Sequence, residues 1–497
     1  AGLIKAALCL FHEKIPPTLH YQKPNPKIDF ENSPFKVVDK LTEWPRFLNS
    51  RIAGVSSFGF GGTNVHAILE EAPVEKTSDK PRAANLLLMS GKTESALDRS
   101  TEAMKDFFKR QKDVNLSDAV YTLQTGRKYF GYRRFVVART AEEYIEIFNT
   151  LNPVYSGTKY CDIRDPKVIF MFPGQGSQYV NMSRNLYRDE PLFRQNIDTC
   201  CDILNSYLDR DLRELLYPES MDEKTSYESL KNTYYTQPAI FTIEYSLAQL
   251  WISWGIIPSS CIGHSIGEFV CACLAGVFSL KDALRLIAIR GRLMRDLPPG
   301  SMLSLRCASD EIVNKLPPNI QLAASNGPSL CVVSGPTQNI NKFQEKMEKE
   351  NIICKHLHTS HAFHSAMMDP IVKPYIKEVK KAEFSKPSIP FMSTVTAQWI
   401  TDDQATNPEY WGKHLRMPVL FSNGIKQICN DTKDNFNIFL EVGPRTTLTT
   451  LARQQLKNPK KQITIASLSD THTDNMEWIA LLGAVGHLWL NGKTIDW

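Results

Sequence analysis

The sequence predicts an α/β protein built on a parallel sheet, with a small antiparallel insert and a mixed α+β unit beside it. Three observations predict this. The apolar run Lys167–Phe172 ends in the glycine-rich stretch Pro173-Gly174-Gln175-Gly176-Ser177-Gln178, as a buried parallel strand does when it hands over to a loop. A second short strand, Ser260-Cys261-Ile262, runs through Gly263-His264-Ser265-Ile266-Gly267 into an apolar helix over 266–274. Residues 300–360 alternate strand and helix signals in the order βαββαβ, the pattern of a compact antiparallel insert.

In chain order, apolar residues at Leu3, Ala7, Leu8, Leu10 and Phe11 predict a helix already under way. No initiator Met precedes it and no cleavage-like segment follows, so the reading is a chain cut from a longer one and not a signal peptide. Residues 13–50, rich in Pro, Lys and Asn, read as an extended loop. Strands over 51–57 and 65–69 flank the turn Phe58-Gly59-Phe60-Gly61-Gly62-Thr63-Asn64. Residues 71–84 are a polar linker. Strands over 86–89 and 133–138 and helices over 95–110, from Ser117, and over Ala141–Thr150 make a mixed unit, too small to stand alone and read as a docked spacer. An amphipathic helix is predicted over 238–254, with Ile240, Ile243, Leu247, Leu250 and Trp251 on one stripe. The insert's strands fall at 302–306, 320–324, 331–334 and 354–358, and its helices at 310–315 and 340–349. The main α/β pattern returns over 408–456.

Composition narrows the function classes. A chain of 497 residues is too long for one core and predicts roughly two to four folding units. The net charge of +5 is spread along it, which excludes nucleic-acid binding as a main role while suiting anionic ligands or an acidic protein partner. Eleven cysteines sit at spacings that fit no zinc or redox motif, the usage of reduced thiols in a cytosolic protein. No apolar run reaches the ~18 residues that a membrane span needs.

Ser265 is the first candidate for chemistry. Gly-X-Ser-X-Gly recurs by chance in long chains, and the serine could simply cap a helix. A strand before it and a helix after it make it a nucleophile elbow. There, unspent backbone N–H groups and the helix dipole favour negative charge, and the Ile266 N–H can donate to a developing oxyanion. A serine hydroxyl needs a base. His361 and His364, in Ser360-His361-Ala362-Phe363-His364-Ser365, are the candidates. The pair lacks a third ligand for a metal, and either could be a structural histidine. Arg290, in Ile289-Arg290-Gly291-Arg292, offers a planar guanidinium that can hold a carboxylate with two parallel hydrogen bonds; a surface ion pair is the plain alternative. The Gln175 N–H is a candidate second oxyanion donor. Gln237, before Pro238, and Asn326, in Ser325-Asn326-Gly327-Pro328, are site or turn residues.

Taken together, seven segments resemble the acyltransferase domain of type I polyketide synthases and the related malonyl transferases of fatty acid synthesis. They are Phe172-Pro173-Gly174-Gln175-Gly176-Ser177-Gln178, Thr236-Gln237-Pro238-Ala239, Gly263-His264-Ser265-Ile266-Gly267-Glu268, Arg290-Gly291, Asn326-Gly327-Pro328, His361-Ala362-Phe363-His364-Ser365 and Glu441-Val442-Gly443-Pro444. The resemblance implies an α/β-hydrolase-like acyltransferase core over 166–456, with a ferredoxin-like insert at 300–360, and a post-acyltransferase linker over 457–497. It implies that Ser265 is the acyl-serine nucleophile, His364 the general base and acid, and Arg290 the anchor of the malonate carboxylate. Gln175 and Ile266 would supply the oxyanion N–H groups, and Phe363, His264, His361, Gln237 and Asn326 would line the substrate site. In this family the base is oriented by a backbone carbonyl, so no acidic third member is nominated. His-Ala-Phe-His goes with malonyl and Tyr-Ala-Ser-His with methylmalonyl, Phe363 filling the space of a 2-methyl group. The implied substrate is malonyl-coenzyme A and the acceptor is the phosphopantetheine thiol of an acyl carrier protein, with no tightly bound cofactor and no metal.

Residues 1–70 resemble the C-terminal end of a thiolase-like ketosynthase, through Ala1-Gly2-Leu3-Ile4-Lys5 and Ser57-Phe58-Gly59-Phe60-Gly61-Gly62-Thr63-Asn64-Val65-His66. The segments that would hold its catalytic cysteine and two histidines are absent, so no ketosynthase activity is expected. Residues 71–165 resemble the linker between the two domains, and the tail resembles the strip that wraps back toward the ketosynthase. The implied partners are the carrier protein and the ketosynthase and other domains of a homodimeric parent synthase, in the cytoplasm, with no nucleic acid and no membrane. Two other readings stand beside this one: a serine hydrolase, and a non-catalytic segment that docks a carrier. The hydrolase reading predicts a Ser, acid, His order and fast attack by water. Arg290 and the paired histidines argue against it.

Overall fold

Lys167–Phe172, buried from its second residue on, is an interior strand of a six-stranded sheet in the computed structural model, which describes residues 1–46, 49–73, 82–111, 113–219, 223–469 and 476–497. The strand order across that sheet is Gln398–Trp399, Phe391–Ser393, Ser260–Gly263, Lys167–Phe172, Asn437–Glu441 and Gln462–Ala466. Neighbours run parallel except at the Gln398–Trp399 edge. Strands buried on both faces need apolar side chains, which is why 168–172 and 438–440 are unbroken apolar runs. Ser260–Gly263 and Lys167–Phe172 lie side by side, so the elbow and the 173–178 loop leave the sheet at the same end. That carboxyl edge is where open α/β sheets hold their ligands.

The helix predicted to start at Pro238 begins a turn earlier. It spans Thr233–Ser253, with the Asn232 side chain accepting the Tyr234 N–H at 3.0 Å and Pro238 inside the helix. It is not amphipathic either. Nearly every residue from Thr233 to Trp251 is buried, because the helix runs between Pro191–Leu204, Leu280–Arg295 and Gly267–Leu274. A helix buried all round carries apolar residues on every face, and the stripe read from the sequence is one part of that surface.

The insert has the predicted order. Ser301–Leu305, Gln321–Gly327, Leu330–Gly335 and Cys354–His356 form an antiparallel sheet in which the third strand lies between the first and second and the fourth flanks the first. The helices Ser309–Val313 and Thr337–Lys349 complete the βαββαβ unit, whose own core includes Leu303, Val333 and Phe343.

Contacts divide the chain between Asp79 and Lys80. The linker segment, the core and the tail therefore belong to one unit. Asn85–Gly91, Tyr132–Ala138 and Ser156–Tyr160 form an antiparallel sheet. Its third strand is not legible in the sequence, because Ser156-Gly157-Thr158-Lys159-Tyr160 has no apolar pattern. Alternation splits this sheet between two cores. Leu87 and Met89 pack with Phe108 and Tyr144, while Leu86 and Leu88 join the main core. The tail helix Met476–Leu490 lies on that second face. A Cβ on Gly486 would stand 2.5 Å from the Phe135 ring, so glycine lets the helix seat there. Glu477 on the same helix accepts the Asn185 N–H at 2.9 Å, and burial pushes its carboxyl up to about 7.

In the other unit, Ile52–Phe58 and Asn64–Glu70 form the expected hairpin. Arg51 is buried and donates to Glu13 at 2.8 Å and to Glu71, which ties the Gly2–His12 helix end to the hairpin. The loop over 13–50 carries one short strand pair, Lys14–Ile15 with Thr42–Glu43. Most of the 71–84 linker lies outside the described residues. No helix among the described residues is long and apolar enough to cross a membrane.

Candidate active site

The elbow is a turn that only small flanks permit. Ser265 has φ 51°, in the left-handed region, where a non-glycine residue carries about 1–3 kcal/mol of strain and is commonly found at functional sites. A Cβ on Gly263 would fall 2.1 Å from the Glu268 nitrogen, and one on Gly267 would fall 2.3 Å from the Phe172 carbonyl oxygen. The two glycines therefore let the helix start directly against the neighbouring strand. The helix spans Gly267–Leu274, one residue later than expected, with Ile266 as its N-cap. That leaves the Ile266 N–H outside the helical ladder. Among the described residues no carbonyl takes the N–H of Ile266 or of Gln175.

His364 faces the serine. Its Nε2 lies 2.9 Å from Ser265 Oγ, and its Nδ1 lies 2.8 Å from the Met417 carbonyl oxygen. A carbonyl only accepts, so Nδ1 carries the proton and Nε2 presents its lone pair to the serine hydroxyl. Burial, and then the Arg290 charge, hold the ring down to about 3, so it is neutral and ready to accept. His364 also has a left-handed backbone, φ 58°.

Arg290 stands on the helix Leu280–Arg295 and is 3 % exposed. One Nη donates to Gln237 Oε1 and the other lies 3.4 Å from Ser265 Oγ. Among the described residues no carboxylate pairs with it, and burial lowers it to about 10. A buried guanidinium without a counter-ion is costly, and such groups mark places where an anion is received.

A cavity of about 230 Å³ opens over these groups, and every residue nominated from the sequence lines it except His361. The wall is completed by apolar side chains from the insert and the core, among them Met302, Val332, Val419 and Leu448. His264 Nε2 meets Asn326 Oδ1 at 2.8 Å, and burial lowers the ring's basicity; a neutral imidazole donating to the amide oxygen ties the elbow to the insert. Phe363 is buried, and its carbonyl accepts from Ser334 at 2.8 Å. His361 is turned away. Its Nε2 bonds the Leu297 carbonyl at 3.0 Å and its Nδ1 the Ser360 hydroxyl at 2.7 Å. Both ring nitrogens are engaged there, and the structure does not bring His361 into the cavity with the other nominated residues.

Some of the site has no signal in the sequence. The Met417 carbonyl has no side-chain signature. Glu268, next to the elbow, is fully buried and takes the Thr394 N–H and hydroxyl at 2.9 and 2.6 Å, and burial pushes it up to about 7. His414 Nε2 lies 3.8 Å from that carboxyl, and burial keeps the ring neutral. These groups form a polar layer beneath Ser265.

Residues 169–489 match the model of the acyl transferase domain, and residues 24–137 match that of the ketoacyl-synthetase C-terminal extension. The full chain is 34 % identical to part of a phenolphthiocerol/phthiocerol polyketide synthase polypeptide of Mycobacterium tuberculosis and 32 % identical to part of the spectinabilin polyketide synthase protein NorB of Streptomyces orinoci. It spans 34 % and 23 % of their lengths. Among solved structures, the acyl transferase domain of ZmaA matches with TM-score 0.78 and 36 % identity, over 84 % of this chain and 97 % of that one. The acyl transferase domain of SpnD, in complex with 2-(pent-4-yn-1-yl)malonyl, matches with TM-score 0.75 and 29 % identity, over 83 % and 97 %. With a serine elbow, a histidine on its hydroxyl and a buried arginine on one sheet edge, and with the domain's model matched across that whole region, the chain belongs to the acyl transferase domain family of polyketide synthases, preceded by a ketoacyl-synthetase C-terminal extension.

Proposed function

We propose that this chain loads a malonyl unit from coenzyme A onto Ser265 and passes it to the phosphopantetheine thiol of an acyl carrier protein. The observation that carries this reading is Arg290, a buried cation without a carboxylate partner among the described residues, 3.4 Å from the Ser265 hydroxyl. A malonyl group brings the missing carboxylate and places its thioester carbonyl at the serine.

In the first half-reaction, Ser265 Oγ attacks the thioester carbon while its proton passes to His364 Nε2. The oxyanion is held by the N–H groups of Gln175 and Ile266. The intermediate collapses, the C–S bond breaks, and coenzyme A leaves with the proton from His364. In the second half, the carrier thiol gives its proton to His364 and attacks the acyl-serine, and the proton returns to Ser265. Gln237 and Asn326 hold Arg290 and His264 in place. The carrier protein and the remaining domains of a parent synthase, ketosynthase included, are the partners of this reading.

Incubation with malonyl-coenzyme A should add one malonyl mass, located on the peptide that holds Ser265, and an added carrier protein should remove it. A folded sample that gains no mass, or gains it elsewhere, overturns the reading. Rapid loss of the adduct to water without a carrier would point to a hydrolase.

Phe363 supports malonyl over 2-substituted units, since its ring fills the wall beside the serine. One methyl group in a pocket decides about 1–3 kcal/mol, roughly 10–200-fold. Phe363→Ser should raise methylmalonyl loading relative to malonyl within that range, measured as competing adduct masses. An unchanged ratio would remove Phe363 from the selection.

A further inference from the structure

We propose that Thr233 is a positioning residue that couples the oxyanion loop to the carboxylate anchor through a single hydroxyl. This rests on the reading of Arg290 as the anchor of a malonyl carboxylate.

Thr233 lies at the start of the helix Thr233–Ser253, 0 % exposed and one turn before Gln237. Residues four apart on a helix share a face, so both side chains point at the site. The Thr233 hydroxyl lies 3.0 Å from Gln175 Oε1 and 2.7 Å from Gln237 Nε2. A hydroxyl has one proton to give. The Gln175 amide oxygen can only accept, so the proton goes there. The hydroxyl oxygen then accepts from Gln237, which must turn its NH₂ toward Thr233. The other amide proton of Gln237 is directed at Met294 Sδ, 3.2 Å away. That orientation leaves Gln237 Oε1 for the Arg290 guanidinium. With the amide flipped, an NH₂ would face a guanidinium that also only donates, and the bond would be lost.

The result is a directed chain from Gln175 through Thr233 and Gln237 to Arg290, whose second Nη reaches Ser265 Oγ. One end carries a backbone N–H proposed to hold the oxyanion. The other carries the cation proposed to hold the substrate's carboxylate. Thr233 touches neither the substrate nor the reacting atoms. It fixes which way Gln237 faces, and so where Arg290 points, while anchoring the loop that holds Gln175. Every member is buried or lines the cavity, so water does not readily replace the hydroxyl.

Thr233→Val keeps the shape and removes the hydroxyl, and Thr233→Ser keeps the hydroxyl and trims a methyl. The readout is single-turnover formation of the acyl-enzyme with malonyl- and acetyl-coenzyme A on the full chain. For Thr233→Val we expect malonyl loading to fall about 10–100-fold and the malonyl-to-acetyl ratio to fall at least about tenfold, the size of one charge-assisted link lost from an array. Thr233→Ser should stay within about threefold of the parent. In a double-mutant cycle, adding Thr233→Val to Gln237→Leu should cost clearly less than Thr233→Val costs alone, because only the bond to Gln175 is left to lose. The proposal fails if Thr233→Val keeps rate and ratio, if Val and Ser are equally impaired, or if the two losses add. Arg290→Ala in the same assay separates the two readings. A ratio unchanged in Arg290→Ala sinks the anchor itself, whereas a ratio lost there and kept in Thr233→Val sinks the coupling alone.

Discussion

Ser265→Ala should form no acyl adduct at all, and His364→Ala should form it about 10²–10⁴-fold more slowly than the parent. The first change removes the attacking atom. The second removes the lone pair 2.9 Å from the hydroxyl, and among the described residues the other group at that oxygen, Arg290, only donates. The oxyanion donors and the bound substrate remain, so His364→Ala keeps a residual rate that Ser265→Ala does not. The pH profile carries a sharper expectation. Held down to about 3, His364 stays neutral through the range where an ordinary histidine titrates near 6.5. Acylation should therefore be flat from about pH 5 to 8, with its acid limb far below 6.5. Arg290 is one cause of the lowered value, and a bound carboxylate offsets that charge. The limb in kcat, which reports the complex, should then lie at higher pH than the limb in kcat/KM, which reports the free enzyme. Rapid-quench mass measurement across pH checks this. A limb at 6.5 in both would contradict the buried, arginine-facing base.

Arg290→Ala should lower malonyl loading by about 10²–10³-fold while acetyl loading changes less than about tenfold. A bidentate guanidinium–carboxylate pair comprises two charge-assisted bonds, together about 3–4 kcal/mol, and each 1.36 kcal/mol is tenfold in rate. Acetyl has no carboxylate and loses only the weak contact of Arg290 with Ser265 Oγ. Arg290→Lys should fall between the two, since an ammonium keeps the charge but not the planar fork. The measurement is kcat/KM for both donors. Equal losses would mean that Arg290 holds the serine or the fold and not the substrate.

Much of the fold could be read because burial writes itself into residue type. The strand beside the elbow is apolar over 168–172, and the insert's alternation survives in 301–356. The errors share a cause. The sequence reading starts the helix at Pro238, a preferred helix-start residue, whereas it begins after the Asn232 cap, and that hid Thr233. The strand Ser156–Tyr160 is legible only from its partner, since Gly157 carries no side chain and a Cβ there would meet the Phe135 ring at 2.6 Å. In the site, the side chains proposed to do chemistry stood out, but what orients them did not. The Met417 carbonyl could belong to any residue. His361 and His364 look alike in one short motif, and only three-dimensional packing sends one ring to Leu297 and the other to Ser265. Glu268 and His414 are residue types usually found at the surface, and the fold buries both.

The seating of the tail helix on the linker sheet bears on how such a domain can be moved between proteins. Phe135, Gly486 and His487 interlock at close range, and Arg133 bonds the Trp489 carbonyl at 2.6 Å. Segments far apart in sequence thus form a clasp around the catalytic core. A graft cut close to the core, at residues 166 and 456, would strip apolar surface from both sides of the join. The natural transplantable cassette keeps linker, core and tail together, and a recombined synthase would be expected to tolerate its junctions best where the clasp stays closed.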